Sequence, residues 1–163
     1  MPHAPSAAAV VLSPDDLLAR LRRRYAGLVL TTTWNARALR YNPGASHAYG
    51  VEFVTIEERD GGDAGSCGLD AIAAYRLSFG LAPERYAALF GAPPQWRDAS
   101  EGAAEAGAPP RVDVVEPHPR YGWMSWAAVV NPSPATMERL WPLLDEGYAL
   151  ARARHATRSA TPS

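Results

Sequence analysis

The pattern of apolar and polar positions divides the chain into segments of two periods. At the start, Leu17, Leu18, Leu21 and Tyr25 recur at helical spacing, and near the end Met137, Leu140, Trp141, Leu144, Tyr148 and Ala151 do the same. Between them lie stretches rich in β-branched and aromatic residues. Leu28 to Trp34 and Arg37 to Tyr41 read as a hairpin across Asn35-Ala36, a weaker turn than Asn-Gly. Tyr49, Val51 and Phe53 alternate along a third strand that runs to about Glu57. The clearest alternation is Tyr75 to Leu81, in which Tyr75, Leu77, Phe79 and Leu81 point one way and Arg76 and Ser78 the other. That pattern predicts one core face. Arg111 to Glu116 and Trp123 to Val130 supply two more strands.

Capping and breaking residues set the boundaries. Ser13-Pro14-Asp15-Asp16 combines an N-cap serine with proline at the first helical position, and Leu12 and Leu17 occupy the two positions of a hydrophobic staple. The helix should end near Arg24, with Gly27 closing it. Pro83 opens a short helix carrying Tyr86, Leu89 and Phe90, which Gly91 and Pro93-Pro94 stop. Ser133-Pro134 starts the last helix, where Arg152, Arg154 and His155 suit the negative end of the dipole. Pro142 lies inside it and should cost roughly 3 kcal/mol unless a kink accommodates it.

These elements predict an α+β fold: a mainly antiparallel, twisted sheet of about six strands, with the N-terminal and C-terminal helices packed on one face. The expected organisation is a disordered tail over 1–11, one domain over 12–155 with mobile loops at 58–70 and 92–110, and a second tail over 156–163. A chain of 163 residues and 17.5 kDa is long enough to bury one such core. Its single cysteine, Cys67, cannot form an intrachain disulfide, and the short apolar start fits neither an export signal nor a span, so a cytoplasmic, soluble protein is expected.

Charge narrows the chemistry. All 16 basic residues are arginines, which excludes a Schiff-base lysine and the phosphate-binding lysine of a P-loop. A net charge of −1 provides no global attraction for nucleic acid or an anionic membrane. Arg20, Arg22, Arg23 and Arg24, joined by Arg152 and Arg154 if the two helices are neighbours, form the one candidate basic patch, although such a run is more often a solvated helix face. Histidines 3, 47, 118 and 155 lie at no metal-ligand spacing, so neither a metal nor a cofactor is expected. Ser66, in Ala64-Gly65-Ser66-Cys67-Gly68, lacks the preceding strand that a nucleophile elbow needs, and Cys67 lacks a neighbour to lower its pKa.

The segment from Glu116 to Trp126 carries the most candidate chemistry. Prolines 117 and 119 hold His118 between them, and Tyr121, Trp123 and Trp126 follow closely. An imidazole so placed near Tyr121, Asp113 and Arg76 can serve as a general base or as a hydrogen-bonding group for a polar ligand. The plainer reading is that it bonds the backbone and stabilises the corner. Trp34, Trp123, Trp126 and Trp141 are likewise more often core than pocket. Alternation along a strand nevertheless sends Trp123 and Trp126 to opposite faces, leaving one indole on the side away from the helices.

Thr31-Thr32-Thr33-Trp34, Tyr41-Asn42-Pro43-Gly44, Tyr75 to Gly80, Pro117 to Trp126, Asn131-Pro132-Ser133 and Leu140-Trp141-Pro142-Leu143-Leu144 form an ordered series. It resembles an uncharacterised actinobacterial family known only as a domain of unknown function, over about residues 13 to 152. In element order it also resembles YjbR/MmcQ-type small α+β proteins. Where the actinobacterial family tends to carry Asp-Arg-Pro-Gly, this chain has Asp70-Ala71-Ile72-Ala73. The first functional reading is a non-catalytic module for a small molecule or a partner, with a homodimer as one form. Its candidate site comprises Arg76, His118, Tyr121, Trp123 and Trp126. The alternatives are a cofactor-independent enzyme with His118 as base, and nucleic-acid binding through the Arg20 to Arg24 helix.

Overall fold

The computed structural model describes residues 11–60, 68–96 and 110–160. Helix α1 (Pro14–Arg24) starts where the sequence places it, with the Ser13 Oγ accepting from the Asp16 N–H at 3.1 Å. Leu12 and Leu17 are both buried in the core, as a staple requires. Strands β1 (Leu28–Thr32), β2 (Ala36–Tyr41) and β3 (Val51–Glu57) form an antiparallel meander. The short helix α2 (Leu69–Ile72) leads into β4 (Arg76–Gly80), and α3 (Pro83–Phe90) follows. The two-residue strand β5 (Glu116–Pro117) and β6 (Trp126–Val130) precede the 27-residue helix α4 (Pro134–Ala160). The six strands make one sheet in the order β1-β2-β3-β4-β6-β5, every neighbouring pair antiparallel.

One face of this sheet is the expected core. Leu39, Val54, Ile56, Leu77, Phe79, Ala127 and Val129 share it through the strand register, and they form a single cluster with Leu17 and Leu21 of α1 and Met137, Leu140 and Leu144 of α4. A bulge tightens the packing. The register shifts between Leu39 and Arg40, so that Leu39 faces Val54 while Arg40 faces Glu52, and Phe53 becomes the extra residue. This lets Val51 and Phe53 on one side of the shift, and Val54 and Ile56 on the other, all be buried.

Several expectations change. Trp34 is exposed at the tip of the β1–β2 hairpin, because the strand ends at Thr32 and the turn closes through a Thr33 N–H bond to the Ala36 carbonyl. Trp123 lies in a 3-10 turn (Gly122–Met124), so the strand alternation invoked for it does not apply. The segment from Arg111 shrinks to a strand of two residues plus a parallel bridge between Val112 and Val130, since Asp113 turns the backbone at φ 60°. Helix α4 continues through Pro142 and past His155 to Ala160. Its last turns are fastened to the β2–β3 connection by Ser46 against His155, His47 against Ser159, and an Arg158 bond to the Gly50 carbonyl. Ser66 and Cys67, with most of the two loops expected to be mobile, lie outside the described residues.

Helix α4 crosses the sheet at Gly147. A methyl group there would stand 2.6 Å from the Gly80 carbonyl oxygen, and a backbone atom in mid-sheet cannot retreat as a side chain would. Ala gains about 1 kcal/mol over Gly in helix propensity, but the clash belongs to the class of overpacking that costs about 1–3 kcal/mol. Gly147→Ala is therefore expected to lower the urea midpoint; an unchanged or higher midpoint would show that helix and sheet are not in this close contact.

Candidate functional site

The second face of the sheet holds the polar residues and is buried along β4 and β6, while Val29, Thr31 and Glu52 at its other end are exposed. Register places Glu57, Arg76 and Val130 in one row across β3, β4 and β6, and Thr55, Ser78 and Ala128 in the next. Arg76 is 3% exposed and Ser78 is equally enclosed, so the alternation in β4 that reads as core against solvent is in fact apolar core against a buried polar layer. Leu69 and Ala74 pack on Val130 at one end of this face. The corner after β5 brings His118 over the same face.

Arg76 and Glu57 form an ion pair, Nη1 to Oε2, at 2.9 Å. The second carboxylate oxygen, Oε1, faces His118 Nε2 at 3.4 Å. On the other side of the ring, Nδ1 accepts the backbone N–H groups of Arg120 and Tyr121, both at 3.0 Å. Two donors directed at Nδ1 leave no place there for a proton, so the neutral imidazole carries its hydrogen on Nε2 and donates it to Glu57. Burial holds the pKa of His118 below its ordinary value, and the nearby Arg76 and Arg120 add to that, outweighing the opposite pull of Glu57. Burial alone would raise the Glu57 carboxyl, but the His118 hydrogen bond and the charge of Arg76 hold it below the usual carboxylate range. The cluster is thus a carboxylate, a guanidinium and a neutral histidine.

The backbone around His118 is fixed as tightly as its ring. The His118 N–H donates to the Trp126 carbonyl, the His118 carbonyl accepts from Gly122, and Leu81 donates to the carbonyl of Ser125. Ser125 itself adopts φ 63°, which ends the 3-10 turn. The Tyr121 ring lies 4.8 Å from the His118 ring and shields it, while its own outer side remains exposed. Trp123 and Met124 project from the same turn and are exposed. Trp126 is buried over Gly80, whose missing Cβ leaves room for the indole nitrogen.

Of the residues singled out from sequence, the fold therefore unites Arg76, His118 and Tyr121, leaves Trp123 as a surface residue of the adjoining turn, and sets Trp126 in the sheet. Asp113 stands elsewhere: its Oδ1 accepts from the Ser133 N–H at 2.8 Å and so holds the start of α4. Glu57 completes the cluster and escaped notice, because at the end of β3 it reads as an ordinary solvent-facing position. Helices α1 and α4 are neighbours, but Arg24 is engaged by Asp145, leaving Arg20, Arg22 and Arg23 as exposed helix-surface residues. Among the described residues, no three His, Cys, Asp or Glu side chains converge as metal ligands, and no helix is long and apolar enough to cross a membrane.

A model of the family of unknown function DUF6194 matches residues 12–160, from the first buried core leucine to the last helical residue. The chain belongs to this family. No curated protein and no solved structure matches it. The DUF6194 match spans both halves of the cluster, Glu57–Arg76 on the central strands and the His118 corner at the sheet edge.

Two outcomes test this geometry. A histidine with a lowered folded-state pKa takes up its proton first in the unfolded chain. Its contribution is therefore fully present above about pH 6.5 and is lost as the pH falls toward the folded-state value. The destabilisation caused by His118→Gln, measured by urea unfolding, should shrink between pH 7 and pH 5, with His47 and His155 common to both proteins; a constant difference would contradict a neutral, buried imidazole. Ser78 Oγ is buried without a hydrogen-bond partner among the described residues. Ser78→Ala should then stabilise the protein by up to about 1 kcal/mol, since it removes an unpaired hydroxyl and little volume. A loss of stability would show the hydroxyl to be serving a polar group.

Proposed function

We propose that this DUF6194 protein is a non-catalytic binding module that presents the turn Tyr121 to Met124 to a protein partner, with a second copy of the chain as the occupant. The observation that carries the reading is the exposure of Tyr121 at 40%, Trp123 at 42% and Met124 at 48% on a turn whose backbone is already fixed from beneath by His118. Aromatic residues and methionine are enriched at interfaces, and a contact surface that is rigid before association loses little entropy when it binds. Val112 and Val114, on the segment leading to β5, add exposed apolar side chains.

The enzyme alternative receives less support from the site. Both ring nitrogens of His118 are engaged, one by two backbone donors and the other by Glu57, so no lone pair is free to take a substrate proton. The buried cluster acts instead as a support. Burying a charge pair seldom adds stability over apolar packing, and its usefulness here lies in fixing one conformation of the corner above it.

Sedimentation velocity over a concentration series should reveal self-association. Trp123→Ala should weaken it by roughly 30-fold, the equivalent of about 2 kcal/mol for a central aromatic contact, without changing the unfolding midpoint. A monomer at every concentration, or association indifferent to Trp123→Ala, would count against this reading.

A further inference from the structure

On the helix side of the molecule, far from the His118 corner, two clefts of about 360 and 510 Å³ share Ala149 and Arg152 as a common wall. Tyr41 lines the first cleft, and Tyr25 and Tyr148 line the second. These rings pack in sequence, with Tyr148 4.8 Å from Tyr25 at a tilt of 37° and 5.6 Å from Tyr41 at 86°, so aromatic side chains run along both clefts at different inclinations. Ala149 and Ala153, one helical turn apart, keep the flank of α4 low beside it. Volumes of this order suit a small organic ligand.

The charge of the groove is one-sided. Arg152 lies over the Tyr148 ring at 5.8 Å and forms no ion pair among the described residues. His155 lines the first cleft beside it, with Nε2 3.3 Å from Ser46 Oγ. The one acid in either lining is Asp145, and its charge is already taken up: Arg24 holds it at 2.8 Å and the Tyr25 hydroxyl donates to it at 2.7 Å. Glu146, next along the helix, is paired with Arg85. After Glu146 the chain contains no further acidic residue, while it carries Arg152, Arg154 and Arg158. The groove thus offers partly exposed tyrosine rings, a flat helix flank and a guanidinium that forms no ion pair among the described residues.

We propose that this groove is a binding site for a small anion bearing a flat ring, of the mononucleotide class. The ring lies along the alanine flank against the partly exposed edges of Tyr41 and Tyr148, where burial of apolar area favours it. The anionic group meets Arg152, whose planar fork matches phosphate or carboxylate oxygens and which has no ion pair among the described residues to give up on binding. Neither half is sufficient alone: the rings do not distinguish charge, and an exposed guanidinium holds a bare anion weakly.

The test titrates the full-length protein with AMP, adenosine and inorganic phosphate, following binding by calorimetry and by two-dimensional NMR. AMP should saturate and shift resonances around Tyr41, Tyr148 and Ala149, with adenosine and phosphate each weaker by about tenfold or more. Arg152→Gln should weaken AMP by about tenfold. Ala149→Trp, at an exposed position in the wall common to both clefts, should abolish binding. Absence of saturable AMP binding, shifts mapping away from the groove in the unaltered protein, phosphate binding as tightly as AMP, or indifference to Arg152→Gln would each overturn the assignment. None of these outcomes depends on self-association through the Tyr121 to Met124 turn.

Discussion

The ion pair between Glu57 and Arg76, closed by a neutral His118, is the constraint around which the outer face of the sheet is arranged. A guanidinium as enclosed as that of Arg76 is tolerable only with a carboxylate in good geometry and with the carboxylate's second oxygen also occupied. That requirement joins segments distant in the chain: the end of β3, the start of β4 and the corner after β5. It also decides the protonation of the histidine. A positively charged imidazole beside Arg76 and Arg120 would be repelled, and with a proton on Nδ1 it would have to give up both backbone bonds accepted there. Charge and hydrogen bonding therefore select the same tautomer.

The apolar face depends on different physics and tolerates less. There the bulge at Phe53 and the absence of a side chain at Gly147 let α4 approach the strands closely, and the core closes by shape rather than by charge. Asp113 links the two systems. Its backbone N–H donates to Val130 at the sheet edge while its carboxylate holds Ser133 at the start of α4, so the edge segment that carries His118 is registered against the helix on the opposite side.

Much of this architecture could be read from the residues. The capping serine of α1, the helical spacing of Met137, Leu140 and Leu144, and the alternation of Tyr75 to Leu81 all report local rules that the tertiary structure obeys. What could not be read was the burial of the polar face. Period-two patterning separates the two sides of a strand but does not say what covers each, and a covered polar side looks the same as a solvated one. Glu57 was missed for that reason. Trp123 departs from strand alternation for another: Gly122 donates to the His118 carbonyl and Ser125 to the Gly122 carbonyl, which folds the chain into a 3-10 turn before β6 begins. His155 was assigned to a helix end, yet it is buried against Tyr41 and the β2–β3 connection because α4 continues beyond it.

Separating support from display has a physical consequence for where binding can occur. In the buried cluster Glu57 is bonded to both Arg76 and His118, and His118 Nδ1 to two backbone N–H groups, so these groups cannot turn toward a guest without first losing bonds that hold the corner. Groups that can recognise something outside must be those with unspent capacity. Here they are the exposed rings of the turn above the cluster and, on the other side of the molecule, a guanidinium resting on a tyrosine with no counter-ion among the described residues. The first offers apolar area and little charge, which suits a protein surface; the second joins charge to ring faces in a concave space, which suits a small anion. The two surfaces lie on opposite sides of one sheet and differ in what they can hold.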